Sequence, residues 1–160
     1  MENERISWDE YFIGLLESLS ERATCDRGKN AAIITRNNRI LTTGYVGAPS
    51  HLPHCDEAGH LMRQVMDEEG NVSQHCIRTN HAEENAILQA ARYGPSIEGA
   101  TIYTKMTSCY RCAMMIIQSG IKKVVSLKRY HADKLAREFL KEAGVELIVL
   151  EEEIVSYKNQ

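Results

Sequence analysis

Apolar and polar positions alternate in two rhythms along this chain. From Ser7 to Leu19 the spacing is helical: Phe12, Leu15, Leu16 and Leu19 share one face, Ser7 with Glu10 makes a capping-box pair, and Ile6 with Tyr11 is placed as a hydrophobic staple. Two short apolar runs follow, Ala31 to Thr35 and Ile40 to Tyr45. The polar Arg36-Asn37-Asn38 between them predicts a β-hairpin. From Asn80 the pattern becomes regular: a helix over His81 to Tyr93 stopped by Gly94-Pro95, a strand over Thr101 to Lys105, and a helix from Cys109 to Ser119 ending at Gly120. A strand over Lys123 to Leu127 and a helix from Asp133 to Ala143 come next. That helix has Ala136, Phe139, Leu140 and Ala143 on one face and Gly144 as its stop, and a last strand runs from Glu146 to Leu150.

Strands alternating with helices of this length predict an α/β fold, a sheet with parallel neighbours covered by helices on both faces. One stretch breaks the rhythm. After Pro49 the chain is polar through Cys76 and carries His51, His54, Cys55, His60, His75 and Cys76, with a helix expected around Asp56 to Glu68. So long a loop in a compact domain is either functional or held by something else.

Composition narrows the classes. At 160 residues, 43% hydrophobic and 26% charged, the chain fits one folded domain over 1–160 rather than a disordered segment. Its longest apolar run, Ala113 to Ile117, is too short to cross a bilayer, and the opening MENERISWDE lacks the basic-then-apolar order of a signal peptide. The expectation is a cytoplasmic protein with no membrane partner. A net charge of −3 also argues against a nucleic-acid partner, while leaving room for a small anionic ligand. Five cysteines, an odd number without an export signal, point to reduced thiols serving as metal ligands or buried residues.

The chemistry gathers at two predicted helix starts. Cys109-Tyr110-Arg111-Cys112 places two thiols on one face of a first turn, where backbone N–H groups and the helix dipole favour thiolates. Alone, C-x-x-C also suits a redox dithiol or a closed structural zinc site. His81-Ala82-Glu83 opens the preceding helix, and H-x-E followed by C-x-x-C is the zinc deaminase signature. Three ligands, His81, Cys109 and Cys112, leave one tetrahedral position open for water, which zinc activates near neutral pH. Glu83 is then the group that takes the water proton and delivers it to the ring nitrogen and the departing amine. Taken singly, these residues have ordinary readings: Glu83 follows Asn80 by three residues and fits the last position of a capping box, and His81 fits a hydrogen-bonded surface histidine. The composite pattern is what favours catalysis.

The stretches R-T-N-H-A-E-E-N-A-I-L-Q-A-A (78–91), S-I-E-G-A-T-I-Y-T (96–104), C-Y-R-C-A (109–113) and Q-S-G-I-K-K-V (118–124) closely resemble deoxycytidylate (dCMP) deaminases of the cytidine deaminase superfamily. The similarity extends through G-Y-V-G-A-P-S-H-L-P-H-C (44–55) and spans Ser7 to Leu150. The resemblance implies a three-layer α/β/α sandwich around a five-stranded mixed sheet and zinc-dependent hydrolysis of dCMP to dUMP and ammonia, supplying thymidylate synthesis. It also implies a homo-oligomer, with a hexamer favoured, and control by dCTP and dTTP with Mg2+.

On matching positions the resemblance suggests a second, structural zinc on Cys25, Cys55, His75 and Cys76. It places Ala82, Val46 and Ser108 at the substrate, while Tyr130 and His131 follow the fourth strand, whose carboxyl end is where open α/β sheets bind ligands, and are placed to close over the base. Phosphate or effector binding would fall to Arg27, Lys29 and Arg111. Two departures stand out: Val46 replaces the usual asparagine and can neither donate nor accept through its side chain, and Ser108 replaces the usual proline and is expected to cap the following helix. The segment Arg27 to Ala31 diverges as well. Rival readings are a tRNA or free-base deaminase, a deaminase for a different or modified nucleotide, and a catalytically weak, zinc-stabilised accessory module.

Overall fold

A computed structural model describes residues 4–67 and 69–157; residues 1–3, 68 and 158–160 of the expected domain lie outside it. Helix α1, Trp8–Ser20, starts at the capping box expected for it: Glu10 N–H donates to Ser7 Oγ at 3.2 Å, and Ser7 N–H donates to Glu10 Oε2 at 2.7 Å. Strands β1 (Ala31–Arg36) and β2 (Arg39–Tyr45) pair antiparallel around Asn37 and Asn38. Both have positive φ (52° and 58°), a conformation asparagine tolerates and two-residue hairpins need.

Helix α3 (Ala82–Tyr93), strand β5 (Thr101–Met106), helix α4 (Tyr110–Gln118), strand β6 (Lys123–Tyr130), helix α5 (Lys134–Glu142) and strand β7 (Glu146–Val149) follow the expected alternation. The main path of the sheet runs β2-β1-β5-β6-β7. β1 is antiparallel to β5, and the β5–β6 and β6–β7 pairs are parallel. The sheet is therefore mixed, as the family resemblance implied.

Alternation along the strands sorts the core into two halves. Ala31, Ile33, Tyr103 and Val125 face α1 and pack on Phe12 and Leu16. Ala32, Ile34, Ile102 and Val124 face the other way, against Ala82, Ala86 and Ala90 of α3, Ala113 and Ile116 of α4, and Ala136 and Leu140 of α5. Ala143, expected on the buried face of α5, is exposed at its C-cap. The small residues of α3 bring it close to β2. A Cβ on Gly44 would stand 2.2 Å from the Ala82 carbonyl oxygen, so this strand position has no room for a side chain.

The sheet exceeds expectation by one strand. β6 continues past Leu127 to Tyr130, and a short β8, Ile154–Val155, pairs parallel with that extension. The larger correction concerns the helix expected over Asp56 to Glu68, whose last residue lies outside the described set. The chain forms one turn, α2 (Cys55–Ala58), which stops at Gly59 with φ 75°. A separate antiparallel hairpin then follows, β3 (Met62–Met66) with β4 (Val72–Cys76). The Asp67 carboxylate holds its turn by accepting from the Glu69 and Asn71 backbone N–H groups and from the Asn71 amide. A local side-chain-to-backbone turn at Asp67 beat helix continuation here.

Candidate functional site

Two helix starts meet on the α3–α4 side of the sheet. His81 is the N-cap of α3 and Cys109 the N-cap of α4, with Cys112 one turn in. The α3 start is tied to the end of β2: Asn85 Nδ2 donates to the Tyr45 carbonyl at 2.8 Å, and Asn80 Nδ2 donates to Asn85 Oδ1 at 3.2 Å. His81 Nδ1 lies 3.6 Å from Cys109 Sγ and 3.4 Å from Cys112 Sγ. A nitrogen and a sulfur on one tetrahedral zinc stand about 3.5 Å apart, given Zn–N near 2.0 Å and Zn–S near 2.3 Å. The three donors therefore fit a zinc ion with one position left over.

Glu83 is not the helix cap. The His81 backbone N–H donates instead to Glu84 Oε2 at 2.8 Å, so the capping role falls to the next residue. Glu83 is 3% exposed, and burial pushes its carboxyl pKa up against the opposing pull of His81. Hydrogen bonding from Cys112 outweighs burial and, with His81, draws Cys109 down to about 4. Burial works against a charged His81, yet the hydrogen bond and charge of Cys109 push it up to about 9. The Cys112 thiol beside them is pushed up, first by its hydrogen bond to Cys109 and then by burial.

Ser108 does not cap α4, because Cys109 occupies that position one residue later. The Ser108 hydroxyl is buried beside the Glu83 carboxyl and favours its charged form, though no hydrogen bond of strict geometry reaches it among the described residues.

A second donor group differs from expectation in one member. Cys25, Cys55, His60 and Cys76 place their ligand atoms within 4.8 Å of one another. Cys25 Sγ is 3.7 Å from His60 Nδ1, and Cys55 Sγ is 3.5 Å from Cys76 Sγ, again close to the edges of a zinc tetrahedron and too long for a disulfide. His60 Nε2 meets Asp26 Oδ1 at 3.0 Å, the carboxylate contact that typically orients a ligating histidine. Burial and the neighbouring sulfur push Cys55 up to about 12. Burial also opposes ionisation of Cys76, but backbone N–H donors from Arg78 and Leu61 bring it down to about 7. His75, expected in this group, is turned away. It alternates with Cys76 across strand β4, its Nε2 pairs with Ser73 Oγ at 2.8 Å, and it faces the cleft beside His81. His60 carries no ligand signature of its own in the sequence, because Cys76 reaches it only through the β3–β4 hairpin, whose first strand lies where the pattern predicts a helix.

The cleft next to His81 is lined by Arg27, Gly28, Val46, Gln74, His75 and Tyr157, among others. Val46 presents an apolar wall, and its backbone is used by Asn30 and Thr24. Of the three expected phosphate cations, Arg27 alone lines this cleft, and its guanidinium donates to the Gln74 carbonyl at 2.7 Å. Lys29 and Arg111 are exposed and line no part of it. Ala82 is buried in the first turn of α3, and Tyr130 is buried behind the cleft with its ring against His131 and Tyr157. Two contributors carried no usable sequence signal. Tyr157 arrives two residues past β8, and buried Asp133 accepts from Thr107 Oγ1 at 2.8 Å while pairing with Arg129 and Arg137, which braces the loop leading to Cys109.

Residues 6–128 match the family described as the cytidine and deoxycytidylate deaminase zinc-binding region. The chain is 40% identical over 159 residues to ComE operon protein 2 of Bacillus subtilis, covering 98% of this chain and 79% of that protein. It is 35% identical over 141 residues to the deoxycytidylate deaminase of Saccharomyces cerevisiae, covering 88% of this chain but 44% of that longer enzyme. The crystal structure of the dCMP deaminase from cyanophage S-TIM5 in complex with dCMP and dUMP superposes with a TM-score of 0.72 at 27% identity, over 92% of this chain and 99% of that one.

Proposed function

The chain belongs to the cytidine and deoxycytidylate deaminase family, and from that premise we propose that it hydrolyses the 4-amino group of dCMP, releasing dUMP and ammonia. The observation that carries this is Glu83, a buried carboxyl beside three metal donors that the helix does not use as a cap. His81, Cys109 and Cys112 would hold zinc. Zinc bound there supplies a Lewis acid that lowers the pKa of a water in the remaining position.

The other steps belong to the chain. Glu83 takes a proton from the attacking water as its oxygen adds to C4, and passes that proton to ring N3. Glu83 then takes the proton of the hydroxyl now on C4 and gives it to the amino group, so that the C4=O bond forms as the C4–N bond breaks and ammonia leaves. The raised pKa that burial gives Glu83 suits both directions of transfer. Ala82 and Ser108 border the base, with Tyr130 packed behind them. Arg27 is the cation placed to meet the 5′-phosphate, while Lys29 and Arg111 have roles away from substrate.

The donor set Cys25, Cys55, His60 and Cys76 supports a second, structural zinc that pins the β3–β4 hairpin to the α2 turn. By family resemblance, the enzyme assembles as a homo-oligomer, with a hexamer favoured, works in the cytoplasm for thymidylate supply, and responds to dCTP and dTTP with Mg2+. Among the described residues no helix is long and apolar enough to cross a membrane.

Val46 favours one second reading: a cleft wall without an amide fits a modified or different pyrimidine nucleotide better than one recognised through that amide. Ammonia release from zinc-loaded protein, measured across dCMP, dCTP, CMP, 5-substituted dCMP and purine nucleotides, tests both. Preference for dCMP supports the main reading, preference for a 5-substituted substrate supports the second, and no release from any of them overturns both in favour of an accessory module.

A further inference from the structure

The cleft beside His81 is nearly filled by the chain itself. Backbone bonds clip residues 151–155 to the extended end of β6, with Arg129 N–H donating to the Glu153 carbonyl at 2.8 Å and His131 N–H donating to the Val155 carbonyl at 3.0 Å. Lys128 adds ion pairs to Glu153 at 2.5 Å and Glu151 at 3.7 Å, and Arg129 pairs with Glu152 at 3.8 Å. Two residues beyond β8, the Tyr157 ring lies against the backbone of Gly28, where a Cβ would come within 2.0 Å of its edge. The other side of the ring meets Tyr130 at 5.4 Å between centroids. The seat is shaped for this ring, because glycine is the one residue that leaves room for it.

Tyr157 is also near the chemistry. It forms the cleft wall together with Val46, His81 and Arg27. Its hydroxyl pKa is pushed well above the usual value by burial, with Glu83, Cys109 and Cys112 adding to the effect. The space left in the cleft is about 40 Å3. That admits a few waters, whereas sites for nucleotide-sized ligands enclose on the order of 300 Å3 or more. Glu83 is shut off from this residual space and does not line it.

We propose that residues 151–157 form an autoinhibitory strap: the Tyr157 ring fills the space a nucleotide needs beside His81, and the strap must lift before substrate enters. This rests on the deaminase reading for the identity of what enters. The attachments are of the kind that opens locally: a short backbone ladder, with Glu151 N–H also donating to the Leu127 carbonyl at 2.8 Å, and partly exposed ion pairs that contribute little individually. Apparent affinity is then the intrinsic affinity reduced by the fraction of molecules in which the strap is open.

The test uses the full zinc-loaded chain and its Tyr157→Ala, Tyr157→Phe and Gly28→Ala variants, with steady-state kinetics on dCMP and amide hydrogen exchange at Arg129 and His131. A strap open about a tenth of the time predicts a KM roughly tenfold lower for Tyr157→Ala without loss of kcat. Gly28→Ala, which unseats the ring, should follow it, while Tyr157→Phe should stay near the parent. Adding dUMP should speed exchange at Arg129 and His131, whose acceptors lie on the strap. A raised KM in Tyr157→Ala would mean the base stacks on the ring and would overturn the proposal, as would unchanged KM and exchange. If no variant turns over any nucleotide, the rate of zinc transfer to a chromogenic chelator decides separately. Faster transfer from Tyr157→Ala than from the parent supports the strap although the deaminase reading fails; equal rates overturn the strap.

Discussion

The carboxylate of Glu84 accepts the backbone N–H of His81 at 2.8 Å, and this one bond decides what its neighbour can do. Helix starts leave N–H groups unsatisfied, and a carboxylate at the third helical position commonly meets the one on the cap residue. With Glu84 in that position, Glu83 points into the buried side of the first turn. Adjacent residues of the same type thus divide: Glu84 caps the helix, and Glu83 is left buried and free of that task.

Glu83→Gln should retain full zinc content and lose about 10²–10⁴-fold in kcat, the usual contribution of a positioned acid–base group. Glu84→Gln should keep most of the activity and lose on the order of 0.5–1 kcal/mol of stability, the scale of a weakened cap. Metal analysis, dCMP turnover and urea denaturation of the two variants side by side check the division. Equal activity losses would contradict it.

Metal content separates the two donor groups. Fully loaded protein is expected to hold two zinc ions per chain, Cys55→Ser and His60→Ala one, and His75→Ala still two. Losing the structural ion should lower Tm by roughly 6–12 °C, taking about 3 kcal/mol lost and the usual sensitivity of a domain this size. Elemental analysis with thermal unfolding reads both, and one zinc in His75→Ala would restore His75 to the ligand set.

Arg27 should show its role through phosphate. Arg27→Ala is expected to raise KM for dCMP by ten- to a hundredfold, about the value of a charge-assisted bond, and to change KM for deoxycytidine far less. Lys29→Ala and Arg111→Ala should leave both near the parent, since neither side chain reaches the cleft. Kinetics on the nucleotide and nucleoside pair distinguish these outcomes.

Asp133 braces the cysteine loop at a cost in charge burial. Burial raises its carboxyl pKa, but hydrogen bonds from Arg129 and Thr107 and the charge of Arg137 outweigh that and hold it below the usual range. A carboxylate depressed in the folded state stabilises above its unfolded pKa, and the gain is lost as pH falls through the lower folded value. Asp133→Asn should therefore cost about 3 kcal/mol near neutral pH, the scale for breaking a buried pair. The difference from the parent should hold steady down to about pH 4 and shrink below it. Urea midpoints across that range check the sign; a difference that grows with acid would refute it.

Chain order and local pattern were enough to identify α1 with its Ser7–Glu10 box, the Asn37-Asn38 hairpin and the alternation after Asn80, because each depends on residues close in sequence. The same holds for the centre: His81, Cys109 and Cys112 each sit at a helix start, and helix starts are written locally. What the sequence by itself left open depends on long-range pairing. His60 faces Cys25 across a separation of 35 residues, and His75 is excluded from that group because strand alternation turns it opposite to Cys76. Whether Glu83 or Glu84 caps α3 turned on which residue became the N-cap, a one-residue shift that propensity cannot resolve. Tyr157 reaches the metal centre only because β6 runs three residues past its apolar core and offers an edge to β8. Periodicity records which face of an element is buried, and only tertiary packing decides which distant residue buries it.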